Sequence, residues 1–244
     1  TIEEPNDRPV ITPDDGNEPE KPDVTETKTG TLAFEDIWPG GGDYDMNDVI
    51  VEYNRAVSFD KKNQVTKIVD TFTPVHDGAV FANAFAYQVD KGQFGKMTFS
   101  ATTEGIHTES ATSSIIVCPN VKQAIQKVYT ITREFTGGSF NKKDLKSYNP
   151  YIIVKYAEGQ KGRTEVHLPK HEATSLADLS LAGTQKDAYY IDKEGAYPFA
   201  IDIPILNFIS VTEKKSIDTE YPNFKAWADS KGEKYTDWYN NHVN

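Results

Sequence analysis

Six carboxylates are crowded into the stretch between residues 32 and 54, which reads LAFEDIWPGGGDYDMNDVIVEYN. The stretch contains no lysine or arginine, and the first basic residue after it is Arg55. Like charges held within a few ångströms raise each other's pKa or require a counter-charge. The usual counter-charge for a dense set of oxygen atoms is a hard cation such as Ca²⁺. The stretch therefore predicts a cation site, with candidate carboxylates Glu35, Asp36, Asp43, Asp45, Asp48 and Glu52.

Part of this acidic stretch has the spacing of the first ligands of an EF-hand. Asp43, Asp45 and Asn47 occupy alternate positions, so their oxygen atoms can converge in a tight loop. An EF-hand also requires glycine at the sixth loop position and glutamate at the twelfth. Counted from Asp43, these positions hold Asp48 and Asn54, and strand-like patterns flank the loop. The spacing therefore predicts a calcium site outside the EF-hand class.

The predicted role of the ion is structural, because it would neutralise the carboxylates and fix two strand ends. Residues 40–42 are three consecutive glycines, which allow the chain to double back. An alternative interpretation is that the acidic side chains only form Asx-turns and cap backbone amides. Mg²⁺ suits the site less well, since it keeps several of its water ligands. The predicted ligands are Asp43, Asp45 and Asp48, with Asp36, Glu35 or Asn47, backbone carbonyls and water completing the shell.

The sequence offers little support for other site chemistries. His167 and His171 are separated by Pro169, which disfavours a shared helical face for zinc. Cys118 lies in an apolar run, where a small buried residue is expected. The chain has no G-x-S-x-G nucleophile elbow. We therefore expect no enzymatic activity, although a carboxylate pair for glycoside hydrolysis stays open as a third reading.

Aromatic side chains are frequent toward the C-terminus and suggest a second kind of binding site. Exposed rings on a β-sandwich can hold sugars or protein partners, whereas buried rings only pack the core. Exposure distinguishes the two interpretations. The candidate ligand-binding residues are Trp38, Tyr190, Tyr197, Trp238 and Tyr239.

The overall charge limits the classes of partner. The formal net charge is −11 and the isoelectric point is near 4.9, which argues against nucleic acid or an anionic membrane surface. The sequence contains no run of 18 apolar residues that would form a membrane-spanning helix. The first residue is Thr1 rather than methionine, which suggests a processed or engineered start from which an export signal is missing.

The elements that must position these residues are predominantly strands. Residues 1–29 are rich in proline and acidic residues and predict an extended spacer. From residue 30 to 244 many short alternating runs are separated by turns, among them residues 49–59 and 65–72, which predict a hairpin. A helix is predicted after Pro222, closed by Gly232. The pattern therefore predicts an all-β, antiparallel sandwich, jelly-roll-like, with a short C-terminal helix.

Several of these motifs resemble the LruC-type domain of surface lipoproteins of Gram-negative bacteria. The opening signature covers residues 34–39 and 42–49, and similar later motifs follow in the same order at 165–169, 198–201, 224–228 and 237–239. Together they span most of residues 30–244. The family tends to have tryptophan after the proline at 198, where this chain has Phe199.

The resemblance implies an exported β-domain without assigned catalytic activity, located at the cell surface or the outer membrane. The function that we expect is a non-catalytic surface interaction or structural module, such as adhesion or envelope assembly, with an unknown protein or glycan as partner. Contact with a membrane is expected only through a lost lipid anchor, and the sequence leaves open whether the N-terminus is lipidated. The alternative is a carbohydrate-binding module that uses the C-terminal aromatic residues.

Overall fold

The computed structural model describes residues 24–40, 42–135, 140–146, 148–159, 162–181 and 197–243. Strands dominate this part of the chain, and the helices are short. The three α-helices are α1 (Lys91–Phe94), α2 (Ile217–Glu220) and α3 (Phe224–Asp229). The strands are β1 (Val24–Phe34), β2 (Val49–Phe59), β3 (Val65–His76), β4 (Ala84–Gln88), β5 (Met97–Ala101), β6 (His107–Glu109), β7 (Ser114–Cys118), β8 (Tyr129–Phe135), β9 (Asn149–Ile153), β10 (Glu165–His167) and β11 (Ala200–Ile203).

These strands form two antiparallel sheets. The six-stranded sheet has the order β11-β1-β2-β3-β8-β5, and the five-stranded sheet has the order β10-β9-β4-β7-β6. The hairpin of β2 and β3 forms as predicted: Asp60 closes its turn by accepting hydrogen bonds from the backbone amides of Lys62 and Gln64 at 2.8 Å. The all-β antiparallel sandwich is thereby confirmed.

The main core lies between the two sheets. Leu32, Val51 and Phe72 point inward from the large sheet and meet Phe85 and Ile152 of the small sheet. The inward-facing side chains of the two sheets interdigitate in this way and form the core of a sandwich. A second apolar cluster covers part of the large sheet with the C-terminal segment, through Ile50, Ile201, Phe208, Tyr221, Phe224 and Trp238.

Three expectations about individual elements can be compared with these bounds. The sequence assigned residues 24–29 to the spacer, but they belong to β1, where they pair with β2 from Phe59 to Asn54. Residues 1–23 lie outside the described part of the chain. The predicted helix exists as α3, and Gly232 closes it with a φ of 82° while donating to the carbonyl of Trp227 at 3.0 Å. Among the described residues, no helix is long and apolar enough to cross a membrane.

Candidate metal centre

The acidic residues occupy the loop that joins two neighbouring strands. Phe34 at the end of β1 pairs with Val49 at the start of β2, so the loop leaves and re-enters the sheet at one point. Glu35 and Asp36 directly follow β1, and Asp48 directly precedes β2. Because of this closure, carboxylates from both ends of the loop meet at one end of these two inner strands of the large sheet.

Three carboxylates converge in this loop. One oxygen atom each of Glu35, Asp43 and Asp45 lies within 4.8 Å of the other two. Two oxygen atoms bound to the same Ca²⁺ at about 2.4 Å can be at most about 4.8 Å apart, so the spacing suits a shared calcium ion. Glu35 and Asp45 are buried, whereas Asp43 is exposed and leaves one side of the trio open to solvent.

This trio differs from the predicted ligand set in one member. The sequence predicts Asp48 as a ligand beside Asp43 and Asp45; in the structure it lies outside this trio, and its Oδ2 accepts the backbone amide of Asp36 at 2.8 Å. Glu35, expected only to complete the shell, stands in its place.

Gly42 allows Glu35 to approach. A Cβ atom at position 42 would lie 2.8 Å from Oε2 of Glu35, closer than real Cβ contacts. The following residues alternate in backbone conformation, since Tyr44 and Met46 have φ values of 58° and 54°. Left-handed backbone is unfavourable for such residues. Packing offsets the cost, because Met46 is fully buried and the Tyr44 ring packs edge-on against Tyr197, with ring centroids 5.5 Å apart.

Backbone amides of the loop itself and of a distant segment hold the carboxylates in place. Glu35 Oε1 accepts the amide of Met46 at 2.5 Å, and Asp45 Oδ2 accepts the amide of Lys214 at 2.9 Å. The carbonyl of Tyr44 accepts the amide of Ile217 at 2.8 Å. The acidic loop therefore connects the ends of β1 and β2 to the segment that leads into α2.

The two remaining predicted ligands are also buried, and each contacts another loop. Asp36 accepts a hydrogen bond from the side-chain amide of Asn83 at 2.7 Å. The Asn47 side-chain nitrogen donates to the carbonyl of Val211 at 3.1 Å, whereas Asn47 Oδ1 is buried without a hydrogen-bond partner. Gly78 faces this oxygen, since a Cβ there would lie 2.5 Å from it.

The electrostatics of the loop disfavour full ionisation. Burial, followed by the charge of Asp48, raises the pKa of Glu35 to about 9. Burial and the charge of Asp36 raise the pKa of Asp48 to about 7. Among the described residues, no ion pair involves the carboxylates of Glu35, Asp43, Asp45 or Asp48. Protons or a cation must therefore balance the cluster near neutral pH.

Most of the aromatic candidates are packed inside the protein. Trp38, Tyr197 and Trp238 are 6%, 8% and 3% exposed, so their faces are covered by neighbouring side chains. Tyr239 is partly buried against the same C-terminal cluster. Tyr190 lies outside the described residues. This arrangement favours the packing interpretation of these rings over a sugar-stacking surface.

A cavity lies apart from the acidic loop, and no motif of the sequence predicts it. It has a volume of about 480 Å³ and lies between β11, the segment after β10 and α3. Trp227, Ile201 and Pro169 contribute apolar walls, and Asp202 and His171 contribute polar groups. Burial lowers the pKa of His171, which favours the neutral imidazole. A cavity between elements so distant in sequence has no local signature.

The geometry defines a class of protein: an antiparallel two-sheet sandwich with a buried acidic loop between adjacent strands. The chain belongs to the family described as "Domain of unknown function (DUF4842)", whose model matches residues 63–239. The matched range begins after the acidic loop. This match does not confirm the LruC-type resemblance, which stays a prediction.

Comparison with other proteins extends the similarity of fold. A crystal structure described as a "Putative lipoprotein from Bacteroides ovatus" is similar, with a TM-score of 0.63 and 17% sequence identity over 91% of this chain and 75% of that chain. At this identity the similarity concerns the fold alone. A comparison with curated proteins gives no match.

Proposed function

We propose that this chain is a non-catalytic interaction or structural module of a cell-surface or envelope protein, and that its acidic loop binds a structural Ca²⁺. The similar structure is described as a lipoprotein, which supports a location at the surface or envelope. Adhesion or envelope assembly is the role that suits such a module, with a protein or glycan as partner.

One observation carries the calcium assignment: two buried carboxylates and one exposed carboxylate converge on one point, and the two buried ones also accept backbone amides. Glu35, Asp43 and Asp45 bring three oxygen atoms within 4.8 Å of one another. The same Glu35 and Asp45 accept amides of Met46 and Lys214. Because Glu35 and Asp45 are held by backbone amides in this way, an ion bound between them would brace the loop.

The ion would act by removing a repulsion. Without it, Glu35 and its acidic neighbours are protonated or repel each other near neutral pH. With it, the oxygen atoms of Glu35, Asp43 and Asp45 share one divalent cation. Backbone carbonyls, water and the buried Asn47 Oδ1 are further candidate ligands. The bound state would stabilise the junction between β1, β2 and the segment around Lys214.

Thermal unfolding tests this proposal. A ligand that binds only the folded state raises the melting temperature by mass action. We expect EDTA to lower the melting temperature and excess Ca²⁺ to restore it, and we expect D43N to abolish this response. Asp229, exposed and paired with Lys225 on α3, provides the matched control: D229N should respond to Ca²⁺ like the wild type. Identical melting curves in EDTA and in Ca²⁺ would contradict the proposal.

A second candidate function is carbohydrate binding, favoured by the cavity beside Trp227. Its volume of about 480 Å³ falls within the range of small-ligand sites. An indole ring beside hydrogen-bonding groups such as Asp202 is a common arrangement for holding a sugar ring. A glycan array tests this candidate: binding that W227A abolishes would support it, and an array without signal above background would contradict it.

A further inference from the structure

The cavity beside Trp227 has three walls from separate parts of the chain. Pro198 and β11 form the first, residues 168–171 after β10 form the second, and α3 with the loop up to Gly232 forms the third. Most of this lining is apolar, so it suits the body of a small ligand. The few polar groups of the lining then determine which ligand the cavity can hold.

The two carboxylates of the lining already have counter-charges. Asp202 accepts hydrogen bonds from the Tyr53 hydroxyl at 2.9 Å and from Lys28 Nζ at 3.0 Å. Both oxygen atoms of Asp229 accept from Lys225 Nζ, at 3.1 and 2.9 Å. Each carboxylate is therefore paired with a lysine from outside the lining, and neither adds net negative charge to the cavity.

The donors of the same lining have no partner among the described residues. Lys170 and Lys231 form no ion pair there, and neither their side chains nor the indole N–H of Trp227 forms a hydrogen bond with a described residue. Ammonium and indole groups can only donate. His171 adds no charge, because burial lowers its pKa and favours the neutral imidazole. The lining thus offers a ligand unpaired donors and unpaired positive charge.

Tight turns hold the two lysines beside the cavity. The amide of Lys231 donates at 2.8 Å to a carbonyl of the last turn of α3, and the amide of His171 donates at 3.2 Å to the carbonyl of Leu168, which closes the turn around Lys170. Both lysines are exposed, whereas Ile201 of the lining is 1% exposed. The positive charges therefore lie on the solvent side of an apolar lining, on two of its walls.

We propose that this cavity binds an acidic carbohydrate, that is, a sugar that carries a carboxylate. The sugar ring would pack against Trp227 and the apolar walls, and its carboxylate would accept hydrogen bonds from Lys170 and Lys231. A neutral sugar would gain nothing from these two charges. This assignment rests on the carbohydrate binding proposed above for the same cavity and adds the charge of the ligand.

A glycan array that presents each acidic glycan together with its neutral methyl ester tests the proposal. Uronic and sialic acids supply the carboxylates, and esterification removes the charge while the rest of the glycan is unchanged. We expect signals on the acids that the esters lack. Equal signals for acids and esters, or signals on neutral glycans alone, would overturn the acidic ligand but leave carbohydrate binding in place. An array without any signal would overturn both.

Lysine variants test whether the charge is read at this cavity. In calorimetric titrations with the acidic glycan that gives the strongest array signal, we expect K170Q and K231Q each to weaken binding about two- to fivefold. K61Q changes the net charge equally, at an exposed lysine in the turn between β2 and β3, and should bind like the wild type. The methyl ester should bind the wild type and the variants equally weakly. Equal affinity of K61Q and of a K170Q/K231Q double variant for the acid would overturn the proposal.

Discussion

Replacing Glu35 by glutamine separates the two ways in which the acidic loop can be neutralised. Glu35 is 1% exposed, and burial together with Asp48 raises its pKa from 4.5 to about 9. Without a cation, the folded protein must keep this carboxyl protonated at pH 7, whereas the unfolded chain ionises it. Glutamine has the same shape as glutamate but does not ionise. E35Q therefore does not lose the free energy of unfolding that the wild type loses by keeping Glu35 protonated at pH 7.

The size of the effect follows from proton linkage. A carboxyl whose folded pKa is raised supports folding fully below its unfolded pKa and loses that support as the pH rises toward the folded pKa. Between pH 4.5 and 7 the loss for one such group is about 3 kcal/mol, at about 1.4 kcal/mol per pH unit. For a chain of this length, 3 kcal/mol corresponds to about 6–12 °C in melting temperature.

The assay is a series of unfolding curves between pH 4.5 and 8, recorded in EDTA and in Ca²⁺. In EDTA we expect the stability of the wild type to fall with rising pH and that of E35Q to fall less steeply. In Ca²⁺ we expect the wild type to lose most of its pH dependence, because the metal replaces the proton. E35Q should gain less from Ca²⁺, since it has lost one charged ligand.

Two outcomes would refute this reasoning about Glu35. One is a parallel pH dependence of E35Q and the wild type in EDTA, which would mean that Glu35 is not a buried acid with a raised pKa. The other is an equal gain from Ca²⁺ in both proteins, which would mean that Glu35 does not contact the ion.

Three further substitutions test other parts of the structure. G42A should abolish the stabilisation by Ca²⁺ because its Cβ would displace Glu35. In the control G95A the nearest contact of the new Cβ is at 3.7 Å, so this variant should keep the stabilisation. Calorimetric titration with Ca²⁺ compares the two variants. The buried carboxylate of Asp70 forms ion pairs with the buried guanidinium groups of Arg55 and Arg133, at 2.6 and 3.0 Å. D70N leaves both groups without a carboxylate and should lower the free energy of unfolding by about 3–5 kcal/mol in urea denaturation; an effect below 1 kcal/mol would contradict this network. W238A should cost about 3–5 kcal/mol by opening a cavity in the C-terminal cluster, and unchanged stability in urea would show that the ring is not part of the core.

The sheets could be predicted from the sequence because their pattern is local. In β2, alternate residues from Val49 to Phe59 face the core, and the turn at Asp60 follows at once. The same alternation places Arg55 on the inward face, beside Asp70 and Arg133 on their own strands. A charged residue at an inward-facing position of a strand therefore indicates a buried ion pair, although no single strand reveals the partner.

The centre of the acidic loop could be predicted only in part. Its composition located the loop and most of the carboxylates, because like charges at short spacing require an explanation. It did not reveal that Glu35 would replace Asp48 in the trio, since this depends on how the chain turns at Gly42. Nor could it indicate that Lys214, 169 residues away from Asp45, would donate an amide to the loop.

The most direct measurement of the central claim is the electron density between Glu35, Asp43 and Asp45 in crystals grown with CaCl₂. The account predicts a peak surrounded by six to eight oxygen atoms at about 2.3–2.6 Å, with one oxygen from each of the three carboxylates. A site occupied by water at hydrogen-bonding distances, or carboxyl groups that share protons without an ion between them, would contradict it.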